Sequence, residues 1–222
     1  MRHIDEIWDI AATRKGGRED ILKDAMPVLS RDELAARPDR DWLAHMSYGI
    51  FSAGLAWTVV ENKWPGILEA FKSFDITACA HMSEDWFYEL VEDPRVIRSP
   101  PKIRSVQENA QWISEISAKH GSFGAFIGDW PSDDFAGLLA VLKQDGARLG
   151  GNTGAYMLRK MGAESFILTK SVVARLIAEG VVDKAPSSKK AIIAVQDAFN
   201  TWKSQSDLTL TEISRILAQS VD

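Results

Sequence analysis

Apolar residues recur along this chain at helical spacing, and no stretch shows the sustained alternation of a half-buried strand. Residues 40–53 show it best, with Trp42, Leu43, Met46, Ile50 and Phe51 spaced for one helical face. Helix boundaries are legible too. Ser30-Arg31-Asp32-Glu33 and Thr209-Leu210-Thr211-Glu212 are capping boxes, in which a hydroxyl and a carboxylate reciprocally satisfy two orphan amides. Gly16-Gly17 ends an amphipathic segment over 2–14, and Ser83 caps a helix carrying Trp86, Phe87, Leu90 and Val91. Pro65 suits the first turn of a helix running to about Ser73, and Pro100-Pro101 breaks the chain before a helix from Lys102 to about Ala118. Residues 121–131, rich in glycine and aromatics, read as a buried loop. Further helices are expected at 133–145, 153–162, 170–180, 187–204 and 209–220. The expected fold class is therefore all-α, with residues 1–222 in a single compact helical unit.

Composition narrows the class. The chain has 222 residues, 45% hydrophobic and 26% charged, as ordinary globular proteins have. Its apolar runs are too short to span a bilayer, and its charged N-terminus lacks a signal-peptide core, so no membrane association is expected. Cys79 is the single cysteine, which excludes an intrachain disulfide and fits a reducing, cytoplasmic setting. The net charge of −5 argues against non-specific nucleic-acid binding. Charge is uneven, however. Residues 143–190 carry Lys143, Arg148, Arg159, Lys160, Lys170, Arg175, Lys184, Lys189 and Lys190 against Asp145, Glu164, Glu179 and Asp183. A basic face can hold a polyanion on an acidic body, because charges beyond about 10 Å are screened.

Within that basic region, residues 146–155 read Gly-Ala-Arg-Leu-Gly-Gly-Asn-Thr-Gly-Ala between two helical segments. Glycines let the backbone turn tightly and approach a ligand closely. The helix that follows opens on unpaired amides and a positive dipole end, which suits a phosphate. Gly151, Thr153 and Gly154 are the candidate phosphate-holding residues of a helical hairpin at 146–162.

Two upstream phrases carry a resemblance. The first runs from Met46 to Trp57 and ends in Gly54-Leu55-Ala56-Trp57; the second is Val96-Ile97-Arg98-Ser99-Pro100-Pro101-Lys102-Ile103, followed by Asn109-Ala110. Phe71-Lys72-Ser73-Phe74-Asp75 lies between them. In order and approximate spacing this stretch resembles the type I 3-methyladenine DNA glycosylases of the helix-hairpin-helix superfamily. The resemblance spans about residues 42–180. It implies a helix-hairpin-helix glycosylase-like fold, two helical lobes around a cleft, and hydrolysis of the N-glycosidic bond of an alkylated purine such as 3-methyladenine.

By that resemblance Trp57 stacks the extruded base, and Gly54 and Leu55 approach the gap left in the DNA. Lys102, at a helix start, is the matching candidate for a phosphate contact. The family's recognition carboxylate stands eight positions before the tryptophan; here that position is Gly49. Tyr48, beside it, is the second base-binding candidate. The catalytic residues are unassigned, and Asp75, Glu61 and Asp129 read as solvated surface carboxylates. The family binds zinc through cysteines and histidines at both chain ends. Cys79, His3, His45, His81 and His120 lack ligand spacing, so no metal or cofactor is expected. The expected partner is double-stranded DNA carrying an alkylated base, bound by a monomer. Two alternatives remain open: a catalytically impaired helix-hairpin-helix DNA-binding protein, and a structural protein without a DNA role.

Overall fold

A computed structural model describes residues 1–221, all-helical among those residues. In chain order the helices are α1 (Ile4–Lys15), α2 (Arg18–Leu22), α3 (Arg31–Ala35), α4 (Asp39–Ser52), α5 (Trp57–Ala70), α6 (Ile76–Ala80), α7 (Glu84–Glu92), α8 (Pro100–His120), α9 (Phe123–Gly128), α10 (Phe135–Asp145), α11 (Asn152–Lys160), α12 (Lys170–Ala178), α13 (Lys189–Ser204) and α14 (Leu210–Gln219). Internal contacts gather into two compact units. One comprises Met1–Leu29, Pro131–Leu138 and Gly162–Asp222; the other comprises Ser30–Trp130 and Leu139–Met161.

In the second unit the 21-residue α8 packs against α4, α6, α7 and α9. Its start corrects one sequence expectation: Pro100 and Pro101 form its first turn, where the missing amides cost nothing. Pro65 corrects another, because α5 runs through it to Ala70. A proline there has no amide to give the Glu61 carbonyl one turn back. A third correction is the stretch 121–131, which contains α9. Ser122 caps this helix by accepting from the Ala125 amide. A Cβ on Gly124 would stand 1.9 Å from the Leu34 carbonyl oxygen, so glycine alone permits this close packing of α3 on α9.

Between α5 and α6, Lys72, Ser73 and Phe74 all adopt left-handed φ of 52–56°. Each such residue costs roughly 1–2 kcal/mol. Phe71 and Phe74 offset it by full burial with stacked rings 5.3 Å apart, and Asp75 then caps α6 through the Ala78 amide. Asp75 is thus a capping residue.

The first unit closes on Phe166, Phe199 and Trp202. Phe166 and Phe199 stack at 4.4 Å, and the Trp202 indole donates to the Arg2 carbonyl. The Glu179 side chain is 1% exposed and accepts from the Arg2 amide, the Arg2 guanidinium and Arg175. Burial alone would push its carboxyl up, but these donors hold it below the usual range. Arg175 also bonds Ser220 and is buried, so it contributes nothing to a basic surface.

Candidate nucleobase and DNA site

The site residues lie in the second unit and begin where α4 ends. Ala53 caps α4, Gly54 takes a left-handed φ of 80°, and the Leu55 amide donates back to the Ser52 carbonyl. The turn is held from behind. Lys102 Nζ donates to the Phe51 carbonyl at 3.1 Å and the Ala53 carbonyl at 2.6 Å. A cation is favourable at this negative helix end, where carbonyls lack amide partners. Burial, with Arg148 nearby, pushes the Lys102 amine below its ordinary value. The Lys102 ammonium therefore serves the turn that presents Leu55 and Trp57.

Trp57 opens α5 and is 48% exposed; Leu55 is 41% exposed. The indole is not isolated. Tyr48 stacks on it at 5.7 Å and 22°, and Tyr156 of α11 meets it edge-on at 6.2 Å. Tyr48 in turn meets Trp64 edge-on at 4.9 Å. Trp64 stacks on Phe74, Phe74 on Phe71, and Phe71 packs against Phe51. Aromatic rings thus run without a break from the buried core to a half-exposed indole. Each pair adds about 0.5–1.5 kcal/mol beyond its area, so the outermost ring is held in one orientation.

Glu61 belongs to this wall. Trp57, Glu61 and Trp64 follow the i, i+4, i+7 spacing of one face of α5. The Tyr48 phenol is pushed up by burial, then by the nearby Glu61 charge. Glu61 is exposed, as expected of a surface carboxylate, whereas Trp64 and Tyr156 are not among the sequence candidates. The helical spacing from Trp57 contained the signal for Glu61 and Trp64. Nothing in sequence signalled that Tyr156 meets Trp57.

Gly49 has a packing reason of its own. A Cβ there would lie 3.2 Å from Thr153 Cγ2, so α4 and α11 approach closely at this point. A larger side chain at 49 has to displace Thr153.

The hairpin between α10 and α11 is clamped by Asn109. Its amide nitrogen donates to the Ala147 carbonyl at 3.0 Å, and its oxygen accepts from the Ala147 amide at 2.9 Å. Arg148 takes φ 61° and donates to the Pro101 carbonyl. Gly151 begins α11 at φ 61° with open space around its missing Cβ and no side-chain cap. That geometry leaves room for a ligand at the helix start. Gly154 is different: it is buried, its amide donates to the Leu149 carbonyl, and a Cβ would stand 2.7 Å from that oxygen. Its glycine serves packing, and its amide is already committed. Thr153 is half-buried, its amide directed at the Gly150 carbonyl at a long 3.4 Å.

Asp129 pairs with Arg31, and Arg98 is exposed. The residues do not fit the zinc that the resemblance implies. Cys79 is buried against the Phe71 carbonyl, and burial foremost pushes its thiol up to about 12. His45 and His81 each bond the carbonyl one turn back on their own helix. Among the described residues no group of three His, Cys, Asp or Glu is placed to hold a metal ion, and no helix is long and apolar enough to cross a membrane.

This all-helical fold is that of DNA glycosylases. It is similar to 3-methyladenine DNA glycosylase I from Staphylococcus aureus, with 20% identity and a TM-score of 0.51 over 69% of this chain and 91% of that one. A glutamate-to-glutamine variant of the S. aureus protein gives 22% and 0.51, over 62% and 80%. A tyrosine-to-phenylalanine variant of 3-methyladenine DNA glycosylase I, in complex with 3-methyladenine, gives 19% and 0.52, over 65% and 85%. Residues 35–136 match the methyladenine glycosylase family model. No curated protein matches the sequence.

Proposed function

We propose that the chain is a DNA repair glycosylase that removes an alkylated purine such as 3-methyladenine from double-stranded DNA. The supporting observation is a half-exposed indole, braced by Tyr48, whose other neighbour Tyr156 sits on the helix that begins at Gly151. Extruding a base costs a few kcal/mol. Stacking on an aromatic face returns about 1–3 kcal/mol. A purine methylated at a ring nitrogen is cationic while attached to the sugar, and an indole face attracts cations.

Leu55, exposed on the turn beside Trp57, fills the gap in the helix. The backbone at Gly151 and Thr153 receives a phosphate. In the reaction the bond between C1′ and the base nitrogen breaks with its electron pair leaving on the base. Water then adds to C1′ and releases a proton, leaving an abasic site. Because the leaving base is cationic, its departure neutralises it and needs no proton from the protein. The protein acts as a monomer in the cytoplasm.

Incubating the protein with methylated duplex DNA and separating released bases by chromatography tests this reading. It expects 3-methyladenine to be released and abasic sites to appear in equal amount. Duplex binding that weakens with salt, without release of any base, would instead support a DNA-binding protein that has lost the chemistry. The packing of Gly49 against Thr153, where the family places its carboxylate, favours that second reading.

A further inference from the structure

One face of α8, outside the base shelf, lines an open groove. Glu108, Trp112, Glu115 and Lys119 stand at i, i+4, i+7 and i+11, a single helical stripe, and Asp145 at the end of α10 borders the same space. Gln111 and Ile116 complete the walls of a cavity of about 420 Å³, a volume within the range of ligand sites. All of these residues belong to the second compact unit. Glu108, Glu115 and Asp145 are exposed, and among the described residues none has an ion-pair or hydrogen-bond partner. Glu84, Asp93 and Asp129 of the same unit, by contrast, each pair with an arginine. The floor is apolar and rigid. Trp112 is 8% exposed and meets Phe123 edge-on at 5.1 Å, with half-buried Ile116 one turn on. No described residue accepts from the Trp112 indole N–H, although so buried an indole usually has an acceptor. The Gln111 amide is already committed to the Ala80 carbonyl.

We propose that this groove docks a short extended segment of a partner protein, with lysine or arginine side chains on either side of an apolar residue. The basic side chains meet the three free carboxylates, the apolar residue covers Trp112 and Ile116, and a backbone carbonyl of the segment accepts from the indole N–H. A polyamine satisfies the charges alone, because its protonated nitrogens donate and none accepts. A nucleic acid is repelled by the same carboxylates. From Glu108 to Lys119 the stripe runs about 16 Å at 1.5 Å per residue, the length of roughly five extended residues. Lys119 marks the end at which the basic pattern stops. Asp145 directly precedes the hairpin at 146–162, so the docked segment lies beside the proposed DNA grip. The groove uses none of the base-shelf residues and stands whether or not the chain excises bases.

The test is a titration of the full-length protein into a fluorescein-labelled Gly-Arg-Leu-Arg-Gly peptide at low salt, followed by fluorescence anisotropy. Wild type should bind it saturably at one equivalent, and a peptide with glutamates in place of both arginines should not bind. Glu108→Gln combined with Glu115→Gln should weaken binding roughly 10-fold. Both positions are exposed, so this variant should keep the wild-type circular dichroism spectrum. Trp112→Phe, which keeps a ring and loses the N–H, should weaken binding about 2- to 10-fold. Absence of saturable binding up to about 1 mM peptide overturns the proposal, as does wild-type affinity in the double glutamine variant. Full displacement of the peptide by an equal concentration of spermidine would overturn the peptide assignment and make the groove a simple cation site.

Discussion

Asn109 is a deeply committed side chain near the proposed DNA grip, and its removal has a calculable cost. It is 0% exposed, and its amide exchanges two hydrogen bonds with the Ala147 backbone at 2.9 and 3.0 Å. Asn109→Ala leaves an amide and a carbonyl of the hairpin without partners, at about 1–3 kcal/mol each. Water reaches half-buried Ala147 in part, so a total near 3 kcal/mol is the working figure. At about 2–4 °C per kcal/mol for a chain of this size, the melting temperature should fall by roughly 6–12 °C.

Asn109→Asp sharpens the argument. Its ionised carboxylate accepts from the Ala147 amide but turns an acceptor toward the Ala147 carbonyl. A protonated acid restores the donor. The folded-state pKa of that aspartate must then lie above its unfolded value. Its stabilisation should be present below the unfolded pKa and lost as pH rises through the folded one. Thermal unfolding followed from pH 4 to 8 measures this. Asn109→Ala within about 1 kcal/mol of wild type, or Asn109→Asp without that pH trend, refutes the clamp.

Lys102→Met should cost about 1–2 kcal/mol by uncapping α4, and leave the salt dependence of duplex binding unchanged. A fall of about one in the log–log salt slope would return Lys102 to a phosphate contact. Gly154→Ala should destabilise by about 1–3 kcal/mol in denaturant titrations, since its Cβ meets the Leu149 carbonyl; a neutral result would mean that the turn relaxes freely. Glu179→Gln should cost about 2–3 kcal/mol at pH 7. The Glu179 carboxyl is held below its usual range, so its contribution is full above the unfolded value near 4.3 and disappears as pH falls through the folded one. Stability of the variant should accordingly be flatter than wild type across mild acid.

Helix positions were largely legible because caps act locally. Ser30, Ser83 and Thr209 each cap the helix that their sequence context announces. The misses have tertiary causes. Pro65 sits inside α5, where Val60 and Ile67 are fully buried, so packing outweighs a lost amide bond. The run 121–131 looked like loop because Gly124 and Gly128 are poor helix formers. Both are small so that α9 can lie against the backbone of α3 and Arg31. At the site, the phrase that ends in Trp57 offers Trp57 and Leu55 as candidates, and both are exposed. Lys102 looked like a phosphate contact because sequence cannot reveal which carbonyls an ammonium faces. Gly154 looked like an open amide for the same reason. Glu61, expected as a solvated carboxylate, is exposed on α5.

The most direct measurement is single-turnover release of 3-methyladenine from methylated duplex by wild type, Trp57→Phe and Trp57→Ala. With a base stacked on this indole, loss of about 1–3 kcal/mol should slow Trp57→Ala by roughly 5- to 150-fold, with Trp57→Phe in between. Equal rates in all three proteins would contradict the claim that the half-exposed indole receives the nucleobase.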